Sequence, residues 1–256
     1  LPSPQRPPPA WSPNCAPQQP EPLHMTETSG ACTAPGGRTL VVACGALARE
    51  LLRIVEANGL DHVDVECLPA SYHNTPDVIP DAVAERVRSA ADRYERIFVG
   101  YGDCGTGGRL DAVCEELDVE RLPGDHCYEF LTGGAAFAEL HAEELGTFFL
   151  TDYLVKHFDR LVVRAFWLDT HPELRSQVFA NYRRLVYLAQ TDDPDLVERA
   201  RAAAARLELD FELRRTGLGD LEASIVALGR QGYQRTGREP DAVAVASAGP
   251  TPTEGR

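Results

Sequence analysis

Three cysteines stand just beyond strand-like apolar runs, and thiols in that position are the clearest chemistry the sequence offers. Cys44 follows residues 39–43 (TLVVA) directly. Cys104 comes three residues after 96–101 (RIFVGY), inside Gly102-Asp103-Cys104-Gly105-Thr106-Gly107-Gly108. Cys127 closes Pro123-Gly124-Asp125-His126-Cys127, after a weaker strand-like stretch at 119–122. A thiol where a strand gives way to a helix has a lowered pKa, because the helix dipole favours thiolate. Thiolate is the form that binds metal or attacks an electrophile. Three thiolates converging with one open position suit a catalytic zinc or an iron–sulfur cluster. Cys44, Cys104 and Cys127 are therefore the expected metal ligands.

The residues around them refine this reading and supply rivals to it. Gly45, Gly105, Gly107 and Gly124 let backbone approach a bulky group and supply positive φ, so they are the expected cofactor contacts. Asp103 and His126 are candidates for a fourth ligand or for proton transfer. A metal-free enzyme would instead use Cys104 as nucleophile and His126 as base, with Glu129 transferring protons from the turn after Cys127. A non-catalytic protein would hold a small anion, for instance on the backbone N–H groups of 102–108, or dock on a partner. That run lacks the ending of a phosphate loop and the spacing of a dinucleotide fingerprint. Cysteine is also a small hydrophobe that is often simply buried, and none of the three lies in a Cys-x-x-Cys pair.

Other candidates have plainer readings beside their functional ones. Thr151 and Asp152 end the run 146–152 (GTFFLTD). They either cap the next helix or join the cysteines at one sheet edge, where Thr151 would contact the cofactor. His73 lies in a loop, 71–76, and faces either that site or, as lone loop histidines commonly do, solvent. His62, His141, His157 and His171 read as surface residues. Cys67, within a strand-like run, and Cys114, within a helical pattern, read as core. Asp192-Asp193-Pro194-Asp195 reads as the cap of a helix rather than a cation loop.

These residues are positioned by alternating strand-like and helix-like segments. Strands are expected at 39–43, 63–68, 96–101, 119–122, 147–150, 185–189 and 209–213. Helices are expected at 46–58, 81–94, 109–117, 172–181 and 195–207. Such alternation predicts an α/β, Rossmann-like parallel sheet with helices on both faces, built from repeated βα units. Ligands bind such sheets at the carboxyl ends of the strands, which is where the three cysteines fall.

At 256 residues, with 43% hydrophobic side chains, the chain has ample material for a core. Its formal charge of −14 repels phosphate backbones and anionic membrane surfaces, so neither nucleic acid nor membrane is an expected partner. No apolar run reaches the roughly 18 residues needed to cross a bilayer. With no secretory pattern, the reducing cytoplasm is the expected location. There, seven cysteines point to free thiols, metal ligands or catalysis rather than disulfides. Residues 1–37, Pro-rich and containing Cys15 and Cys32, read as a disordered head, with Met25 the expected natural start. The expected domain spans 38–230, and residues 231–256 read as a disordered tail.

The motifs together also resemble a known family. Cys44-Gly45, Tyr101-Gly102 with Cys104-Gly105-Thr106-Gly107, His126-Cys127, and the run 146–151 (GTFFLT) resemble bacterial and archaeal proteins known only as a domain of unknown function. In that family the third motif usually reads His-Asp-Cys, whereas here the acid and the histidine are exchanged. Members are often encoded near corrinoid-dependent methyltransferases and corrinoid proteins. The resemblance thus implies such a partner and a part in one-carbon metabolism.

Overall fold

The computed structural model describes residues 37–234. The head, Met25, Cys15, Cys32 and the tail beyond 234 lie outside the described residues. The first half runs β1 (Thr39–Cys44), α1 (Ala48–Ala57), β2 (Val63–Leu68), α2 (Ile79–Ala90), β3 (Arg96–Gly100), α3 (Arg109–Glu116) and β4 (Glu120–Arg121). Then follow α4 (Cys127–Thr132), α5 (Gly134–Glu143), β5 (Thr147–Thr151), α6 (Asp152–Lys156), α7 (Arg175–Val178), β6 (Arg184–Ala189), α8 (Pro194–Leu207), β7 (Asp210–Arg215) and α9 (Gly219–Gln234).

All strand pairings are parallel, as the alternation predicts. They form two sheets rather than one, of order β2-β1-β3-β4 and β5-β6-β7. β1 is buried along its whole length, which suits a continuous apolar run covered on both faces. Leu40, Val42 and Cys44 enter the core facing α2 and α3, while Val41 and Ala43 face α1 and α9. α2 opens with proline in its first turn and buries Ile79, Val83 and Val87 at helical spacing. In the second sheet, α8 lays Leu196, Ala200, Ala203 and Leu207 against β6. Each large side chain so buried contributes about 1.5–3 kcal/mol to the folded state.

Several elements depart from expectation. α5 and α9 are helices where none was expected, and α9 runs through Gln234, into the stretch expected to be disordered. The helix expected over 172–181 is a 3₁₀ turn followed by the single turn of α7. Cys67, expected in the core, is exposed because β2 is an edge strand. Cys114 is buried as expected. His62 is half-buried, its Nε2 3.0 Å from the Gly229 carbonyl, and His157 is half-buried beside Tyr153. Asp193 caps α8, accepting the Asp195 N–H. No helix among the described residues is long and apolar enough to cross a membrane.

Candidate functional site

The register of the first sheet sets Ala43 beside Gly100, so Cys44 and Tyr101 leave neighbouring strands together. Both enter the same apolar cluster, which also holds Cys104. Cys44 ends β1 and caps the following turn, its Sγ accepting the Ala46 N–H at 3.3 Å. Gly45 is required there, because a Cβ would stand 3.0 Å from the Leu68 carbonyl. The turn at Ala70–Asn74 brings in His73, whose Nδ1 lies 3.7 Å from Cys44 Sγ and 3.2 Å from the Ala70 carbonyl. The carbonyl contact assigns the proton to Nδ1 and leaves the lone pair on Nε2. Burial lowers the His73 pKa, opposed by the Ala70 carbonyl, so the ring is neutral at pH 7. It stacks on Tyr101, with centroids 6.1 Å apart.

Cys104 arrives differently. It adopts φ +52, a left-handed conformation uncommon for a residue with a side chain. Two backbone bonds lace its loop to the one carrying Cys127: Asp103 N–H to the Gly124 carbonyl at 3.0 Å, and Cys104 N–H to the Asp125 carbonyl at 2.8 Å. Gly102 permits this closeness, since a Cβ there would stand 3.1 Å from both the Gly124 oxygen and the His126 nitrogen.

The glycine run has its own anion. The Asp103 carboxylate accepts the Thr106 hydroxyl at 2.5 Å and the N–H groups of Gly107 and Gly108 at 2.9 and 2.8 Å. Burial works against that charge, but these donors hold the Asp103 pKa below its usual value. The N–H of Gly107, a residue expected to contact a cofactor, is engaged by this carboxylate. Gly105, at φ +85, packs beside Pro76. Gly124, at φ +96, lies under the Glu129 carboxylate, which accepts the Asp125 N–H at 2.6 Å. Glu129 is therefore a clamp on the Cys127 loop.

Cys127 is the first residue of α4, preceded by the exposed His126. The residue is half-buried as a whole, but its thiol packs toward the apolar cluster under α1 and α9. The lowered thiol pKa values expected from helix dipoles are overturned. Burial pushes Cys44 up to about 12, against the pull of the Ala46 N–H. Burial pushes Cys104 up to about 11, against the Gly102 and Cys127 N–H groups. Cys127 is raised well above its ordinary value by burial, then by Cys104 and Cys44. Desolvation outweighs a few amide dipoles here, and the thiols are protonated at neutral pH.

Cys44 and Cys104 share one buried cluster, while Cys127 packs toward the other face of the sheet, its loop tied to that of Cys104 by backbone hydrogen bonds. Tyr101 belongs with Cys44 and Cys104; the sequence placed it in a motif but gave it no role. Its hydroxyl is buried against the Cys44 side chain; burial raises its pKa most, and the Cys44 and Cys104 thiols raise it further. The signal was a polar-tipped residue at the carboxyl end of an otherwise apolar strand. His126 stands near enough to His73 to lower its pKa. As donors, three thiols and an imidazole suit a thiophilic metal. As placed, no three Cys, His, Asp or Glu side chains among the described residues are close enough to hold one.

Thr151 does not share the cysteines' sheet. It ends β5 in the second sheet, and its hydroxyl caps α6 by accepting the Leu154 N–H at 3.4 Å. Asp152 is buried and accepts the Tyr187 hydroxyl, the Gln190 N–H and the Thr191 hydroxyl. α6 nevertheless packs on the turn after Cys44, and Glu50 of α1 feels the Asp152 charge. Beside that junction, a cleft of about 320 Å³ is lined by Arg53, Gln190, Thr191, Asp192 and Arg215.

No curated protein matches the chain, and no solved structure does. One family model matches residues 67–225, a span that contains His73, Tyr101, Cys104 and Cys127 and begins beyond Cys44. Because that match covers more than half of the sequence, the chain belongs to the family described as Protein of unknown function (DUF1638).

Proposed function

We propose that the protein holds a thiophilic metal centre, zinc or an iron–sulfur cluster, on Cys44, Cys104 and Cys127. One observation carries this reading: Cys44 and Cys104 enter one buried cluster beside Tyr101, and the Cys104 loop is laced by two backbone hydrogen bonds to the loop that carries Cys127. Burying three thiols together at a sheet edge gives no charge to work with until a cation compensates the thiolates. The His73 ring lies beside Cys44, its Nδ1 3.7 Å from the thiol. A zinc ion would supply Lewis acidity, and a cluster one-electron chemistry. Since the side chains do not yet stand at ligating distance, binding must draw the loops inward. The metal-free alternative needs a Cys104 thiolate, which burial opposes. An accessory role beside a corrinoid-dependent methyltransferase rests on the sequence resemblance alone.

The test is the metal, iron and acid-labile sulfide content of anaerobically purified protein, compared with Cys44→Ser, Cys104→Ser and Cys127→Ser. Stoichiometric metal lost in every variant is the expected result. Wild type that stays empty when offered zinc or iron and sulfide rules the reading out. Because raised thiol pKa values mean that binding releases protons, affinity should climb steeply with pH between 6 and 9.

A further inference from the structure

The carboxyl ends of β6 and β7 open on the cleft of about 320 Å³, which none of the cysteines lines. Register sets Ala189, the last residue of β6, beside Arg215, the last of β7. Parallel sheets receive ligands at that edge, outside the ends of their strands. Two exposed guanidinium groups line the cleft, Arg53 from α1 and Arg215 from β7. The Arg53 guanidinium has no ion-pair or hydrogen-bond partner among the described residues. Arg215 reaches Asp192 through Nε at 3.0 Å, which leaves its terminal nitrogens for another acceptor. Two guanidinium groups against the Asp192 carboxylate give the lining a surplus positive charge, in a chain whose net charge is −14.

The rest of the lining is held rigid from within. Buried Asp152 accepts the Gln190 N–H and the Thr191 hydroxyl, and its own N–H donates to Gln190 Oε1 at 2.8 Å. Gln190 Nε2 donates to the Leu188 carbonyl. With the Thr191 hydroxyl and a Gln190 amide N–H turned inward, recognition in the cleft falls to the two arginines. Ala189, Thr191, Asp192 and Arg215 also line an adjoining groove of about 210 Å³, where Pro194 and Val197 add apolar surface and Glu198 a carboxylate.

We propose that this cleft binds a small molecule with one anionic head, a carboxylate or a phosphate, held between Arg53 and Arg215. Its uncharged body lies along Pro194 and Val197. Guanidinium forks match either head, and a single exposed ion pair is weak, so both arginines are needed. Glu198 repels a ligand that is also anionic at its other end. The event is binding only, and no bond within the ligand breaks.

The experiment titrates the full chain calorimetrically with phenyl phosphate and, separately, with benzoate, in chloride buffer at fixed ionic strength. R53Q, R215Q and D192N are compared with R164Q, which removes the same charge from an exposed residue outside the cleft. All four changes fall on exposed side chains, and thermal melts check that each variant is folded. Expected is saturable binding of at least one probe, weaker by about tenfold or more in R53Q and in R215Q. R164Q should bind as wild type does, and D192N more tightly, because the rival anion is gone. The preferred probe identifies the head as phosphate or carboxylate. Failure of both probes to bind overturns the proposal, as does undiminished binding by R53Q and R215Q. Equal weakening in R164Q also overturns it, since bulk charge alone would then account for the binding, and so does D192N that binds no more tightly.

Discussion

At the scale of the residue, the thiols make a prediction that needs no metal. A thiol in the unfolded chain titrates near 8.5, whereas burial pushes Cys104 up to about 11 and Cys44 up to about 12. Between those values the unfolded state releases protons that the native state retains. The contribution is therefore fully present below about pH 8.5 and is lost as pH rises through the folded values. At Cys104 that difference corresponds to about 3 kcal/mol. Urea melts of metal-free protein should show stability falling from pH 9 to pH 11, and Cys104→Ser should flatten that fall. An unchanged slope in the variant would show that the thiol is not protected as described.

Among the elements, the contact that matters most is between the two loops that follow β3 and β4. Gly102→Ala places a methyl group 3.1 Å from backbone atoms of both Gly124 and His126, and neither backbone can rotate away as a side chain would. Overpacking of this kind typically costs about 1–3 kcal/mol. The variant should lose that much in a denaturant melt and bind metal more weakly, because the lacing that brings Cys104 to Cys127 is strained. The strands bearing the cysteines were legible in the sequence because short apolar runs bounded by glycine or proline are strong local signals. α9 was not, because Gly217 and Gly219 at its start and Gly229 within it read as loop. Gly133-Gly134 hid α5 in the same way. The cysteine loops were likewise legible from strand ends. The protonation of the thiols was not, because desolvation depends on packing from α2, α3 and α9, which no local pattern encodes.

Across the whole molecule, the division into two sheets was illegible for a related reason: strand order is a long-range property, and nothing in the run at 147–151 says that it avoids β4. The junction of the halves can be probed at Glu50. Burial first, and the nearby Asp152 charge next, raise its carboxyl pKa. Such a group costs stability once ionised, so its favourable contribution exists below its unfolded pKa, near 4.3, and is lost as pH rises through the folded value. Glu50→Gln should therefore raise the melting temperature at pH 7 and have little effect near pH 4. Equal shifts at both pH values would point to altered packing instead.

β4 is two residues long, paired to β3 only at Phe98↔Glu120 and Val99↔Arg121. It lies at the open margin of its sheet, yet it delivers Cys127. Short margins of this kind fray at far lower cost than the whole chain unfolds. A metal held between Cys104 and Cys127, as proposed above, would be retained only as long as that margin stays paired. Its residence time is a property of one small door, not of the house.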